Sequence, residues 1–142
     1  MAGQSSEPTG AKRSPKGSSP VVQWLANPEH DDYSAARSYL SLNAKSKTTK
    51  NALKKLAHTK RVHFKAKDLL RASNLPLLPR NNPDVAKELA RVASGEPLSP
   101  CLVIRGRLEK GRVAQIADGY HRICAAYHVN GDTDIPVQII RL

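Results

Sequence analysis

The chain has 142 residues, enough for one ordinary domain and too few for two. Hydrophobic residues make up 39% and aromatics only 4%, and no run approaches the ~18 apolar residues of a membrane span, so no membrane partner is expected. Two cysteines, Cys101 and Cys124, exclude a disulfide scaffold and an all-cysteine zinc site, and they suit a reduced interior. The formal net charge is +11, and residues 44–71 alone carry +9 of it. So local a basic band points to a polyanionic partner.

Residues 1–20 are rich in Ser, Pro, Gly and Lys, with little to bury, and a disordered tail is expected. This tail contains no apolar signal region, so the expected compartment is the cytoplasm. One domain is expected over 21–142, with a helical N-terminal element at 21–61 and a core at 62–142. Val21–Trp24 reads as a short strand or an extended lead-in, broken at Asn27-Pro28. His30-Asp31-Asp32 precedes a helix over Ala35–Leu42, capped by Asp32 or Ser34, with Tyr39, Leu40 and Leu42 on its apolar side. Lys45–Arg61 holds Leu53, Leu56 and Ala57 at helical spacing, the pattern of a basic amphipathic helix. Val62–Phe64 reads as a strand and Ala66–Ala72 as a short helix.

Prolines 76, 79 and 83 mark a loop. A helix is expected from Asp84, striped by Val85, Leu89 and Val92 and ended by Gly95. Cys101–Ile104 is a continuous apolar run that suits a buried strand. A polar turn over Arg105–Arg112 leads to a hairpin partner at Val113–Ala117. Asp118-Gly119 breaks that strand, His121–Val129 forms a helix, and Ile135, Val137 and Ile139 alternate in a last strand. The fold class is therefore mixed α/β (α+β), a small mixed sheet with helices.

Ile116–Arg122 is the most chemical stretch. A strand ends, Gly119 permits a tight turn, and a helix opens with His121 and Arg122 in its first turn. Unpaired N–H groups and the helix dipole make such a start an anion site. An arginine there opposes the dipole, a mismatch that an anion resolves. Arg122 can clamp phosphate or carboxylate bidentately, and His121 can add a hydrogen bond. Asp118 can cap the helix, orient His121 or hold magnesium through water. The alternative is an ordinary Asp-Gly turn with a solvated His-Arg pair.

Ala66–Leu70, Val85–Gly95, Leu98–Val103, Ala117–Arg122 and Ile135–Val137, taken in that order, resemble the ParB/sulfiredoxin superfamily. The resemblance covers roughly 80 residues, from Val62 to Leu142, and Asp118-Gly119-Tyr120-His121-Arg122 is its most specific part. The phrases at His30–Leu42 and Asp118–Arg122 are also similar to those of small bacterial proteins. The resemblance implies a nucleotide pocket in which Gly119, Tyr120, His121 and Arg122 contact phosphates. Family members use such a pocket for CTP hydrolysis on DNA clamps, ATP-driven peroxiredoxin repair or serine phosphorylation, and some are described as nucleases. The expected ligand is thus a nucleoside triphosphate, ATP or CTP, with magnesium. Hydrolysis or phosphoryl transfer is the reaction class if turnover occurs.

This chain departs from the family pattern. Tyr120 stands where sulfiredoxins carry their reactive cysteine, which speaks against repair chemistry. Gly119–Arg122 replaces the Gly-Glu-Arg-Arg element of ParB-type proteins, and no helix-turn-helix pattern follows the last strand.

Other candidates keep two readings each. Lys87 lies on a polar helix face that lends side chains to nucleotide in the family, or is simply solvated. Ser99 reaches a phosphate or caps a turn. Glu29, His30, Asp31 and Asp32 form an acidic group that binds a divalent ion or supplies a general base, His30 and Asp32 being the catalytic candidates beside Asp118 and His121, or it is a helix cap with a negative first turn. Lys50, Lys54, Lys55, Lys60 and Arg61 are the candidate contacts for DNA or RNA. That contact would be sequence-independent and salt-sensitive, in a non-enzymatic accessory protein.

Overall fold

The computed structural model describes residues 21–142. The expected tail at 1–20 lies outside the described residues. Glu29 opens the first helix, α1 (His30–Ser41), through a capping box: its side chain takes the amide of Asp32, and Asp32 Oδ2 takes the amide of Glu29 at 2.7 Å. The helix therefore starts five residues before the expected Ala35. Its buried side is Asp32, Ala36 and Leu40, whereas Leu42, expected on the apolar face, is 88% exposed as the C-cap.

The basic segment forms α2 (Ser46–His58), which buries Thr49, Ala52, Leu53 and Leu56 and leaves its lysines outside. It ends before Lys60 and Arg61, and Ala57 faces solvent. β1 (Arg61–Lys65) and α3 (Ala66–Ser73) follow directly. α4 (Pro83–Ala93) opens one residue before the expected Asp84 and is capped by Asn82: its side chain accepts from the amides of Asp84 and Val85, and Pro83 occupies the first turn. β2 (Cys101–Ile104) is buried throughout. A short 3₁₀ turn at Leu108–Lys110 leads into β3 (Gln115–Asp118), then α5 (Tyr120–Val129) and β4 (Asp134–Ile140).

The result is a mixed α/β fold with one four-stranded sheet, ordered β1-β4-β2-β3. β4 runs parallel to β2 and antiparallel to β1, and β2–β3 is an antiparallel hairpin. β2 and β4 are the inner strands, which explains why β2 reads as an unbroken apolar run. Side chains alternate across the sheet. Cys101, Val103, Ile116, Ile135 and Val137 meet α3, α4 and α5 on one face. Leu102, Ile104, Ala117 and Ile140 meet Ala36, Leu40, Ala52, Leu53 and Leu56 of α1 and α2 on the other. The N-terminal helices are thus an integral layer of the fold. Full burial of each large aliphatic side chain contributes roughly 1.5–3 kcal/mol.

α5 buries Ile123, Cys124, Ala125 and Ala126 in succession, so it is enclosed on most sides, between α3 and α4. The buried Gln138 on β4 fastens the opposite layer. Its Nε2 donates to the Leu56 and Thr59 carbonyls at the end of α2, at 2.9 and 3.2 Å, and its Oε1 accepts from the Tyr33 hydroxyl. Among the described residues no helix is long and apolar enough to cross a membrane.

Candidate functional site

The sheet delivers Asp118 at the end of β3, and Gly119 turns the chain into α5. Gly119 has φ +114°, in the left-handed region, and a Cβ there would run into the Cys101 side chain on the neighbouring strand. Both the conformation and the close approach require glycine. No side chain caps α5. The amides of its first turn have no carbonyl acceptors within the helix; the first such bond is from Ile123 N–H to Gly119 at 3.0 Å.

Arg122 lies in the first turn of α5, and its side chain is only 11% exposed. Its fork holds two carboxylates: Nη1 donates to Asp32 Oδ1 at 3.0 Å and Nη2 to Asp118 Oδ2 at 2.8 Å. The sequence reading assigns this guanidinium to a ligand's phosphate or carboxylate. In the structure, the anions that answer it come from the chain itself. Arg122 Nε is buried without a hydrogen-bond partner among the described residues. Arg122 therefore joins the α1 layer to the β3–α5 turn and fixes Asp118.

The two carboxyl groups sit in unequal environments. Burial raises the Asp118 pKa to about 6, the hydrogen bond with Asp32 adds to that rise, and Arg122 opposes it. Burial also works against Asp32. The hydrogen bond from Asp118, the Arg122 charge and the bonds from the Glu29 amide and Ser99 outweigh it, leaving the Asp32 pKa below its usual 3.8. One carboxylate is thus firmly ionised, and the other changes protonation near pH 6. Burial pushes the Cys101 thiol up to about 11, so it is protonated at neutral pH and inert as a nucleophile.

The structure brings Asp32, Ser99, Asp118, Gly119 and Arg122 together. Ser99 is 5% exposed and serves Asp32. Tyr120 turns away to donate its hydroxyl to the Pro76 carbonyl. His121 is half exposed, with Nε2 3.7 Å from Asp84 Oδ2 at the start of α4, so it pairs with Asp84 and not with Asp118. Lys87 is exposed on α4, and His30 is exposed on α1. Lys50, Lys54 and Lys55 are exposed on α2, and Lys60 and Arg61 are exposed around the start of β1. Among the described residues none of these five has an acidic partner within ion-pair distance.

Sequence reasoning missed Gln138 and the role of Glu29. An isolated glutamine at an otherwise apolar position of a strand was the available signal. Among the described residues no group of three or more His, Cys, Asp or Glu side chains is arranged to hold a metal ion. Comparison with protein-family models, curated proteins and solved structures finds no match to this chain.

Proposed function

We propose that the chain binds a nucleotide, with its phosphates at the N-terminus of α5. The observation that carries this reading is the β3–Gly119–α5 turn: a helix start with no side-chain cap, bent by a glycine that no other residue can replace without strain. The amides of Tyr120, His121 and Arg122 supply donors there, and the half-exposed His121 lies at the same turn. The ParB/sulfiredoxin resemblance points to the same residues.

Electrostatics favours a magnesium-complexed nucleotide over bare phosphate. Two carboxylates against one guanidinium leave the Asp32–Arg122–Asp118 group with a negative balance above pH 6. Magnesium is commonly held by one or two carboxylates together with substrate phosphates, which suits Asp118 and Asp32 better than a three-ligand protein site would. Bound there, the ion would neutralise phosphate charge. Asp118, titrating near 6, is also the group best tuned to accept a proton if the nucleotide is turned over.

Thermal shift against ATP, CTP, GTP and UTP, with and without magnesium, tests the proposal. A ligand at 100 times its Kd adds about 2.7 kcal/mol of stability. The expected result is a magnesium-dependent rise for at least one nucleotide, reduced in His121→Ala. No rise with any nucleotide would sink the reading.

A second reading rests on a separate observation, the unpaired exposed cations Lys50, Lys54, Lys55, Lys60 and Arg61. They suit the phosphate backbone of DNA or RNA. Lys54→Gln with Lys55→Gln should flatten the logarithmic salt dependence of binding by about two. An unchanged slope would remove these two residues from the interface.

A further inference from the structure

The hairpin between β2 and β3 carries three arginines to the start of α2. Arg105, Arg107 and Arg112 line one cavity of about 220 Å³ together with Thr48 in the first turn of α2. Leu40 and Ile104 are among its apolar lining, and Asn43 and Gln115 add carboxamides. Gln115 Oε1 already accepts the Tyr39 hydroxyl at 3.2 Å, which leaves its side-chain amide hydrogens as donors.

Arg105 and Arg112 are exposed and Arg107 is partly so, and their like charges favour a counter-ion. Arg107 and Arg112 exchange both backbone hydrogen bonds, at 2.9 and 3.0 Å, so their side chains are directly opposed across the hairpin. Like charges in that relation destabilise the pair. Gly106 lets the two sides of the hairpin approach closely, since a Cβ there would lie 2.7 Å from the Arg112 carbonyl oxygen. Among the described residues the one ion pair that any of the three makes is Arg107 with Glu109, at 3.9 Å, and Leu142 also lines the cavity.

The facing helix end adds to the positive field. α2 has no side-chain cap and no acid in its first turn. The amides of Ser46, Lys47 and Thr48 lack acceptors within the helix, the first such bond being from Thr49 N–H to Lys45.

We propose that this cavity binds a phosphate group. Planar guanidinium forks, an uncapped helix start and a carboxamide together provide the donors that a multiply charged oxyanion requires. The cavity is at the hairpin end of β3, whereas the proposed nucleotide turn follows the other end of that strand, so the two sites separate by mutation. The phosphate belongs either to a small free phosphate or to a nucleic-acid backbone.

The test is thermal shift and calorimetric titration of the full chain with inorganic phosphate, against sodium chloride at matched ionic strength. A parallel titration uses a short DNA duplex. Phosphate should raise the melting temperature of the wild type. Arg107→Gln and Arg112→Gln should each weaken phosphate binding roughly tenfold, while leaving the unliganded protein at least as stable as the wild type. His121→Ala should keep the full phosphate response. A response to duplex alone, lost in the two arginine variants, assigns the phosphate to a polynucleotide. The proposal is overturned if neither ligand binds, if the arginine variants bind as the wild type does, or if His121→Ala alone abolishes the response.

Discussion

Asp118→Asn removes one charge from the buried group and leaves the Asp32–Arg122 pair in place. Its effect on stability should depend strongly on pH. The Asp118 pKa is about 6 in the folded chain against an ordinary 3.8. The native state therefore holds this proton more tightly than the unfolded state does. By linkage, stability then falls as pH rises from about 4 to about 6 and is level above that window. The gap corresponds to about 3 kcal/mol. Urea denaturation of both proteins at steps from pH 4 to 7.5 reads it, because groups that do not touch Asp118 cancel in the difference and an asparagine amide still donates to Asp32. As pH falls from 7 towards 4, the wild type should gain up to about 3 kcal/mol that Asp118→Asn does not. Parallel profiles would refute the reasoning. A wild type that loses stability relative to the variant on acidification would show that Arg122, not burial, governs this carboxyl.

Other outcomes follow from the same contacts. Arg122→Ala leaves two buried carboxylates without their cation and should cost about 3–5 kcal/mol, measured by urea denaturation at pH 7. Arg122→Lys should recover only part of this loss, since an ammonium cannot span both acids as a fork does. Gly119→Ala should cost about 1–3 kcal/mol from the left-handed backbone alone, with a further loss that Cys101→Ala partly relieves in the double variant. Gln138→Leu strands the Leu56 and Thr59 carbonyls and should cost about 1–3 kcal/mol; denaturation midpoints report it.

Local rules carried the sequence reading through the C-terminal half. The stripe of Val85 and Val92 and the apolar run Cys101–Ile104 each encode one element by spacing, and each element formed; the expected strand Val113–Ala117 is instead Gln115–Asp118, since Asp118 still pairs with Leu102 and the chain turns at Gly119. The start of α1 was misplaced because Glu29 is an uncommon cap, and its partner Asp32 looked like the cap itself. Leu42 resembled a core residue only while the helix was taken to run through it.

The site was half legible. An arginine in the first turn of a helix signals an anion, and the acidic cluster at His30–Asp32 reads as a general base, a metal ligand or a negatively charged helix start. The pairing itself, Asp32 with Arg122 across 90 positions, depends on how α1 lies on the sheet, and no local pattern specifies that. His30 and Asp32 adjoin in sequence, but α1 buries the second and exposes the first. The Arg107–Arg112 opposition depends in the same way on hairpin register, and in sequence it looked like an ordinary polar turn.

The most direct measurement of the central claim is a two-dimensional ¹⁵N–¹H NMR titration of the full chain with ATP and CTP in the presence of magnesium. The account predicts the largest shifts at the amides of Gly119, Tyr120, His121 and Arg122, with Asp84 and Lys87 following. Spectra unchanged at those amides, whether nothing moves or only α2 and the 105–112 hairpin respond, would contradict it.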